Sequence, residues 1–329
     1  MKKPLLSICI ATYNRANFIG ETLDSIILQL TEDVEVVIVD GASTDNTREV
    51  VESYVKNSNQ INYIQLPYKG GVDQDYCKAV EFSKGEMCWL FTDDDILKPD
   101  ILNTIIASIR KNYTLIIVNS EIRSKDFTIL LENKVLKIEH DEILTENELD
   151  LLFKKTISYI SFIGCVIVNR DLWIAREKKS YFGTEFIHVG VIFQKPLPGR
   201  TLLISNPHII IRYGNALWSK RAFEIGVVKW PKLINSFKHV SKDSKSSLNL
   251  TKFKHWLNSV IFYRSLGSFS FKNYYIVFND QQYNIFRKVV ALIISLIPIS
   301  FIKFGILFYF KILGKENKIT TYNLENNNK

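Results

Sequence analysis

The chain has 329 residues, of which 47% are hydrophobic and 12% aromatic. This composition supplies enough apolar side chains for a substantial core, so it excludes a mostly disordered chain and favours one large or two modest domains. The formal net charge of +8 is distributed unevenly, because residues 220–329 carry 18 lysines and arginines against 5 acidic residues, whereas residues 1–219 carry 24 against 29.

Residues 5–118 contain apolar runs that alternate with segments whose apolar residues recur at helical spacing. Each run is continuous, as expected of a strand that is buried on both faces of a sheet. This alternation predicts an α/β fold with a mostly parallel sheet and right-handed crossovers. Ser43 or Thr44 is predicted to cap the helix after the second strand. The predicted strands are residues 5–11, 34–39, 61–65, 87–91 and 113–118.

The pattern changes after residue 118. Residues 157–169 and 200–213 are rich in strand-forming residues, and residues 220–286 have a helical pattern with many aromatics and lysines. We therefore predict a first domain at residues 1–219 and a basic helical region at residues 220–329. The four cysteines show no CxxC spacing and no secretory signal is visible, so free core thiols in a reducing compartment are expected.

Three polar clusters follow predicted strands, at residues 12–15, 40–43 and 93–95. Open parallel sheets bind ligands at the carboxyl ends of their strands, where these clusters are expected to converge. The acidic cluster, Asp93-Asp94-Asp95, would be neutralised by a hard divalent cation, and Mg²⁺ or Mn²⁺ bridging a diphosphate satisfies this requirement. The alternative is an acidic helix N-terminus, where carboxylates are favoured by the helix dipole.

Asp40 and Arg15 are candidates for nucleotide binding. A carboxylate at the position of Asp40 can accept hydrogen bonds from a base or a ribose, although an Asp-Gly pair is also a common turn. Arg15 can reach a phosphate, and it can equally be a solvated first-turn residue.

The three clusters together resemble the family 2 glycosyltransferases, which are inverting enzymes with the Rossmann-like GT-A fold. The resembling stretches are residues 7–15 (SICIATYNR), 36–47 (VVIVDGASTDNT) and 84–100 (KGEMCWLFTDDDILKPD). The family pattern most often reads Asp-x-Asp-Asp, and here Thr92 stands where the first aspartate would be. The resemblance implies a nucleotide-sugar donor and bound Mn²⁺ or Mg²⁺.

Site residues follow from the same resemblance, position by position. Thr12 and Tyr13 would line the base pocket, and Asp40 would contact the base. Asp93 would lie near the donor ribose, and Asp94, with Asp95 beside it, would hold the metal.

Within the family, residues 71–76 and 182–188 resemble the branch that includes abequosyltransferases, which act in O-antigen assembly. This likeness adds Asp73 to the predicted donor-nucleotide residues. It also implies a lipid-linked saccharide acceptor and a role in bacterial surface polysaccharide synthesis.

Inverting transfer needs a base that removes the proton of the acceptor hydroxyl. In the family this base is a carboxylate from the second half of the catalytic domain, and the corresponding stretch here contains Glu185 and His188. Either residue is a candidate, with Asp150 and Asp171 as weaker alternatives. A surface carboxylate or a satisfied buried histidine would be the non-catalytic explanation of the first two.

Residues 289–313 are strongly apolar but are interrupted by Pro298 and Lys303. A monotopic, basic-amphipathic attachment to an anionic membrane surface at the cytoplasmic face is favoured over a membrane-spanning helix or hairpin and over a soluble core helix. The basic residues that suit anionic lipid heads are those at 287, 288, 303, 311, 315 and 318.

Other functions fit the sequence less well. A nucleotidyltransferase or an NAD-dependent dehydrogenase would need glycines after the first strand, and residues 12–15 contain none. A non-catalytic membrane-associated scaffold would not need Asp40, Asp93 and Asp94. Nucleic acid is not an expected partner, since only the basic charge of residues 220–329 would support it.

Overall fold

The computed structural model describes residues 3–248, 252–278, 283–313 and 317–326. The chain divides into two compact units. The first contains the residues up to Arg212 together with Phe237–Val240, and the second contains Tyr213–Ser236 and the residues from Ser241 onward. The predicted boundary at residues 219 and 220 lies inside the second unit by this division, and the assignment of separate functions to two domains stays a prediction.

The first part of unit 1 alternates strands and helices as predicted. Strands β1, β2 and β4 have almost no exposed residues, which explains their continuous apolar sequences. The elements are β1 (Leu6–Thr12), α1 (Ile19–Ile27), β2 (Val34–Asp40), α2 (Thr47–Val55), β3 (Ile61–Gln65), α3 (Val72–Phe82) and β4 (Met87–Phe91).

The second part of unit 1 is less regular, and short 3₁₀ turns at Ile163–Cys165 and Lys179–Tyr181 interrupt it. The elements are β5 (Ile96–Leu97), α4 (Ile101–Ile109), β6 (Tyr113–Ser124), β7 (Leu130–Glu132), β8 (Glu142–Leu144), α5 (Leu149–Thr156), β9 (Val166–Asn169), α6 (Arg170–Ala175), α7 (Ile187–Phe193) and β10 (Arg200–Tyr213).

One sheet runs through unit 1 in the order β3-β2-β1-β4-β9-β6-β10-β5. Strands β1 to β4 are parallel, as predicted, but β9 inserts antiparallel between β4 and β6. Of the predicted strand region at 157–169, only β9 is a strand, because the residues before it form turns, a bend and a 3₁₀ turn. The α/β class is confirmed, and the sheet is more mixed than the alternation indicated.

The carboxyl ends of β1, β2 and β4 lie at one edge of the sheet. Thr12 pairs with Asp40, and Ile10 pairs with Phe91 in the neighbouring strand. The polar clusters that follow these strands therefore start from adjacent positions, and their predicted convergence is confirmed. All four cysteines are free and buried, also as predicted.

Unit 2 is helical in its described residues, which confirms the helical pattern of residues 220–286 there. Its core contains packed aromatic rings, including Phe223 and Phe269 with centroids 4.3 Å apart. A 3₁₀ turn (Ser219–Arg221) and a π-helical turn (Glu224–Lys229) precede its α-helices. These are α8 (Trp230–Ser236), α9 (Lys242–Ser246), α10 (Phe253–Ser265), α11 (Phe271–Phe278), α12 (Ile285–Leu296), α13 (Ile299–Leu313) and α14 (Lys318–Asn326).

The apolar run at 289–313 is divided between α12 and α13, with Pro298 at the break, where proline disfavours helix continuation. Among the described residues, no single helix has both the length and the hydropathy to cross a membrane. Ile285–Leu296 and Ile299–Phe310 meet that test only as a pair, and they are bent by 99°.

Candidate functional site

The loops after β1 and β2 are joined by hydrogen bonds. Asn14, which has a left-handed backbone with φ of 54°, donates its N–H to Ser43 Oγ at 2.9 Å and accepts from Thr44 N at 2.8 Å. The N–H of Arg15 donates to Thr47 Oγ1 at 2.8 Å. Two of the predicted clusters are therefore held as one structure.

The predicted cap of α2 is wrong in its residue. The helix begins after Asn46, and it is Asp45 Oδ1 that accepts the N–H of Thr47 at 3.0 Å. Ser43 and Thr44 instead bind the loop after β1, so they join the site rather than cap the helix.

Arg15 spans the first two residues of the acidic cluster. Its Nε lies 3.3 Å from Asp93 Oδ1 and its Nη2 lies 3.3 Å from Asp94 Oδ2. The side chains are 11% exposed for Arg15 and Asp93 and 13% for Asp94. Burial and then the charge of Asp94 raise the pKa of Asp93 to about 7, while Arg15 opposes the shift. Two neighbouring carboxylates in this setting favour any cation that can approach both.

Asp95 is oriented differently from its two neighbours. Its Oδ1 accepts the backbone N–H of Arg212 at 2.8 Å, and its Oδ2 accepts the hydroxyl of Thr92. Burial raises the pKa of Asp95 well above its ordinary value, and the charge of Asp94 adds to the shift. Thr92, which replaces the first aspartate of the commoner family pattern, is thus a partner of Asp95. The metal-ligand role of Asp95 stays a prediction.

Arg212 is a site residue that the sequence interpretation missed. Its guanidinium donates from Nε to the Asp94 carbonyl at 2.9 Å and from Nη1 to the Lys125 carbonyl at 2.8 Å, and its Nη2 pairs with Glu21 at 2.5 Å. The guanidinium also lies 4.0 Å from the centroid of the Phe127 ring. One buried side chain therefore ties the acidic cluster to the β6–β7 turn and to α1.

Replacing Arg212 with lysine should lower the free energy of unfolding by about 2–4 kcal/mol, since the ammonium cannot satisfy both carbonyls and Glu21 and leaves buried acceptors without partners. Urea denaturation measures the loss. Arg48→Lys is the matched control, because Arg48 is 56% exposed in an ion pair on α2 and should change stability by less than about 0.5 kcal/mol. Equal stability of the two variants would contradict the anchoring role of Arg212.

Asp40, the predicted base contact, lies at the end of β2. This residue is fully buried, and its Oδ1 accepts the Ser43 N–H at 2.7 Å while its Oδ2 accepts the Tyr63 hydroxyl at 2.6 Å. Both bonds orient the carboxylate, and each oxygen retains a further lone pair. Thr12 lies opposite Asp40 across the β1–β2 pair, and the Lys69 ammonium lies 3.5 Å from the centroid of the Tyr13 ring.

Gly41, directly after Asp40, lies close to a second carboxylate, that of Asp75. A Cβ at this position would lie 2.8 Å from Asp75 Oδ2. Burial raises the pKa of Asp75, whose carboxylate lies against this loop, to about 6. A side chain at position 41 would therefore require the Asp75 carboxylate to shift.

Asp73 contacts the loop that carries the base candidates. Its two carboxylate oxygens accept the backbone N–H groups of Glu185 and Ile187, each at 2.9 Å. Burial raises the pKa of Asp73 to about 6 in spite of these bonds. The predicted nucleotide contact of Asp73 stays a prediction, whereas its contact with the 185–187 loop is direct.

The structure separates the two base candidates by their environment. Glu185 is half-buried just before α7, with a left-handed φ of 71°. His188 lies inside α7 with 1% of its surface exposed, and its Nε2 bonds the Ile160 carbonyl at 2.7 Å. Burial lowers the pKa of His188 to about 4, so this imidazole is neutral at pH 7 and shielded from solvent. These observations favour Glu185.

The buried His188 predicts a dependence of stability on pH. Because its pKa is about 6.5 when unfolded and about 4 when folded, the unfolded chain binds more protons in that interval, and stability falls as the pH drops through it. His188→Gln keeps an N–H donor for Ile160 but cannot titrate. Relative to this variant, the wild type should lose about 2 kcal/mol of unfolding free energy between pH 7 and pH 5. Urea denaturation at both pH values measures it, and parallel profiles would contradict the neutral state of His188.

A divalent cation fits the acidic cluster if a ligand completes its coordination. Among the residues that the structure describes, no three His, Cys, Asp or Glu side chains are grouped to hold a metal ion by themselves. Magnesium-type sites that bind diphosphates need only one or two carboxylates, because phosphate oxygens and waters supply the remaining ligands. Asp93 and Asp94 provide two adjacent oxygen donors whose mutual repulsion a divalent ion would relieve, so the residues present fit such a metal.

Comparison with known proteins places these features in a family. The abequosyltransferase RfbV of Salmonella typhimurium is 28% identical over 276 residues, which are 78% of this chain and 83% of the relative. A Campylobacter jejuni enzyme, GalNAc(5)-diNAcBac-PP-undecaprenol beta-1,3-glucosyltransferase, is 28% identical over 131 residues, or 38% of this chain and 42% of the relative.

Solved structures agree on the fold. The mannosyltransferase PcManGT from Pyrobaculum calidifontis, in complex with GDP-Man and Mn²⁺, superposes with a TM-score of 0.54 at 16% identity, covering 98% of this chain and 84% of that one. The predicted GT-A fold and the resemblance to the abequosyltransferase branch are confirmed. The family model "Glycosyl transferase family 2" matches residues 7–172, from β1 through the acidic cluster to α6, and the chain belongs to that family.

Proposed function

We propose that this chain transfers a hexosyl or deoxyhexosyl group from a nucleotide-diphosphate donor to an acceptor hydroxyl with inversion at the anomeric carbon. The observation that carries the proposal is the pair Asp93 and Asp94, bridged by Arg15 at the carboxyl edge of the sheet. This arrangement combines carboxylates for a cation with a guanidinium that suits a phosphate oxygen.

Different residues of the chain bind different parts of the donor. Asp40, held by Ser43 and Tyr63, accepts from the base, with Thr12 and Tyr13 beside it. Asp93 accepts a ribose hydroxyl.

Arg15 turns from the aspartates towards the diphosphate when the donor is bound. Asp94, with its neighbours in the acidic cluster, would hold Mn²⁺ or Mg²⁺. When bound, the ion neutralises charge on the departing diphosphate.

Glu185 is the proposed base. It removes the proton from the acceptor hydroxyl as that oxygen attacks the anomeric carbon from the face opposite the leaving diphosphate. Its half-buried position supports this assignment. The alternative base, His188, is enclosed and bonded through Nε2 to the Ile160 carbonyl.

The acceptor we propose is a lipid-linked saccharide used in surface polysaccharide or O-antigen synthesis. Two relatives support it: one is named an abequosyltransferase, and the other is named for an undecaprenol-linked saccharide. The exposed apolar surface of unit 2 is a second support, because a lipid-linked acceptor is presented at a membrane.

That surface lies on α12 and α13, and we propose that it attaches the enzyme peripherally to the anionic, cytoplasmic face of the plasma membrane. Exposed apolar side chains on the two helices are accompanied by Arg287, Lys288 and Lys303. These apolar residues are Ile285, Phe286, Val289, Ile293, Leu296, Phe301, Phe304, Phe308, Tyr309 and Ile312.

Membrane attachment predicts a specific loss on mutation. Phe304 is 69% exposed, and Phe304→Asp should weaken binding to vesicles containing anionic lipid by about 10-fold or more, since a buried phenylalanine contributes roughly 1.5–3 kcal/mol. Co-sedimentation measures the affinity. Tyr68→Asp is the control, because Tyr68 is an equally exposed aromatic of unit 1, at 71%. Equal binding by both variants would contradict attachment through α13.

The experiment that tests the donor chemistry is a thermal-shift panel of nucleoside diphosphates with and without Mn²⁺. One nucleotide should raise the melting temperature only when Mn²⁺ is present, because ligand binding to the folded state stabilises it. If neither UDP, GDP, CDP, ADP nor dTDP stabilises the chain with the metal, the donor assignment is wrong and a non-catalytic scaffold becomes the better explanation.

A further inference from the structure

Asp73 joins helix α3 to the loop that precedes α7. The residue is 4% exposed in the first turn of α3, and its carboxylate accepts one N–H from Glu185 and one from Ile187, both at 2.9 Å. Hydrogen bonds to an ionised acceptor are stronger than neutral ones, and two of them fix orientation as well as position. The loop is therefore held against α3 at the residue proposed as the base.

The backbone of this loop needs such a restraint. Glu185 has a φ of 71° and Gly183 a φ of 80°. Glycine adopts this region freely, but a glutamate does so only when its surroundings enforce it. Asp73 binds the amide of Glu185 itself, so it acts at the strained residue.

The same face of α3 also contacts the donor side. Tyr76 lies one helical turn after Asp73, and its hydroxyl donates to the carbonyl of Phe91 at 2.8 Å. Phe91 ends β4, directly before Thr92 and the acidic cluster. One helix thus holds both the strand that leads to the aspartates and the loop that carries Glu185.

We infer that Asp73 is a positioning residue that fixes Glu185 relative to the donor, with α3 as the common support of base and acidic cluster. The inference rests on the proposed function, in which Glu185 removes the acceptor proton. It assigns Asp73 to the acceptor side of the reaction, in place of the nucleotide contact expected from the sequence.

A double-mutant cycle tests the inference. Asp73→Asn keeps the shape of the side chain but turns an amide donor towards one of the two N–H groups, so kcat should fall by about 100-fold while the donor KM stays within about 3-fold. In the Glu185→Gln background, Asp73→Asn should lower kcat by less than about 3-fold, because the group it positions has been removed. Thermal unfolding verifies that each variant folds.

Two variants on the same helix serve as comparisons. Lys78→Gln, at an exposed position, should leave both constants unchanged. Tyr76→Phe should raise the donor KM, since it removes the hydrogen bond to the Phe91 carbonyl at the end of β4. If Asp73→Asn fails to fold, the cycle is repeated with Asp73→Glu, which keeps the charge and both acceptors and is judged by the same criterion.

The outcomes separate the inference from the proposed function. A normal kcat for Glu185→Gln removes the base assignment, and the inference fails with it. If Glu185→Gln loses most of its kcat and Asp73→Asn has the same effect in both backgrounds, the base assignment stands and the positioning role of Asp73 is overturned. The same holds if Asp73→Asn changes only the donor KM.

Discussion

Replacing Asp94 with asparagine should abolish Mn²⁺-dependent stabilisation by the nucleotide and lower kcat by roughly 1000-fold. Asparagine keeps the shape of the side chain but removes the charge that lies 3.3 Å from Arg15. A bound divalent ion contributes several kcal/mol of charge stabilisation to a departing diphosphate, which corresponds to a rate loss of about this size. Turnover of the nucleotide sugar and the thermal shift with Mn²⁺ measure the two effects.

Asp100→Asn is the matched control for this change. Asp100 lies in the same sequence stretch, is exposed and has a φ of 64°, a conformation that asparagine also tolerates. It should retain normal turnover and normal metal-dependent stabilisation. If Asp94→Asn behaves like Asp100→Asn, Asp94 is not a metal ligand, and the donor must be neutralised by other groups.

Arg15 links this prediction to the fold. Its backbone is bound to Thr47 at the start of α2, and its guanidinium lies between Asp93 and Asp94. The joined loops after β1 and β2 therefore hold the guanidinium of Arg15 at the acidic cluster. Any change that separates these loops should weaken donor binding even without a direct ligand contact.

Much of this arrangement was predictable from the sequence, because continuous apolar runs that stop at polar residues mark strands and their carboxyl ends. The runs that became β1, β2 and β4 are of this kind, so the convergence of Thr12, Asp40 and the acidic cluster followed from parallel topology. Local patterns of this type do not depend on the rest of the chain.

The contacts made by Arg212 and Asp73 could not be found in that way. Arg212 binds Asp95, 117 positions away, and Asp73 binds Glu185, 112 positions away. Patterns of neighbouring residues cannot predict contacts over such sequence separations. The only signal for Arg212 is a charge that directly follows the apolar run of β10, where a buried cation would need partners. Long-range polar contacts of this kind appear only once the topology is known.

The antiparallel insertion of β9 was missed for a related reason. Its four residues are apolar like those of β1, but their direction and neighbours are set by the turns and the short helical segment before them. Apolar composition predicts burial in a sheet and carries no information about strand direction. The result is a sheet whose donor edge is parallel and whose other strands are not.

Replacing Glu185 with glutamine should lower kcat by about 100- to 10,000-fold while donor binding, measured by the Mn²⁺-dependent thermal shift, stays unchanged, since a general base contributes a factor of this size only in the chemical step. Glutamine fits the same space and keeps the backbone N–H that binds Asp73. His188→Gln is the control and should keep turnover near normal, because the imidazole is enclosed and bonded to Ile160. If His188→Gln loses turnover and Glu185→Gln does not, the two roles are reversed, and proton transfer would have to proceed through the interior of α7.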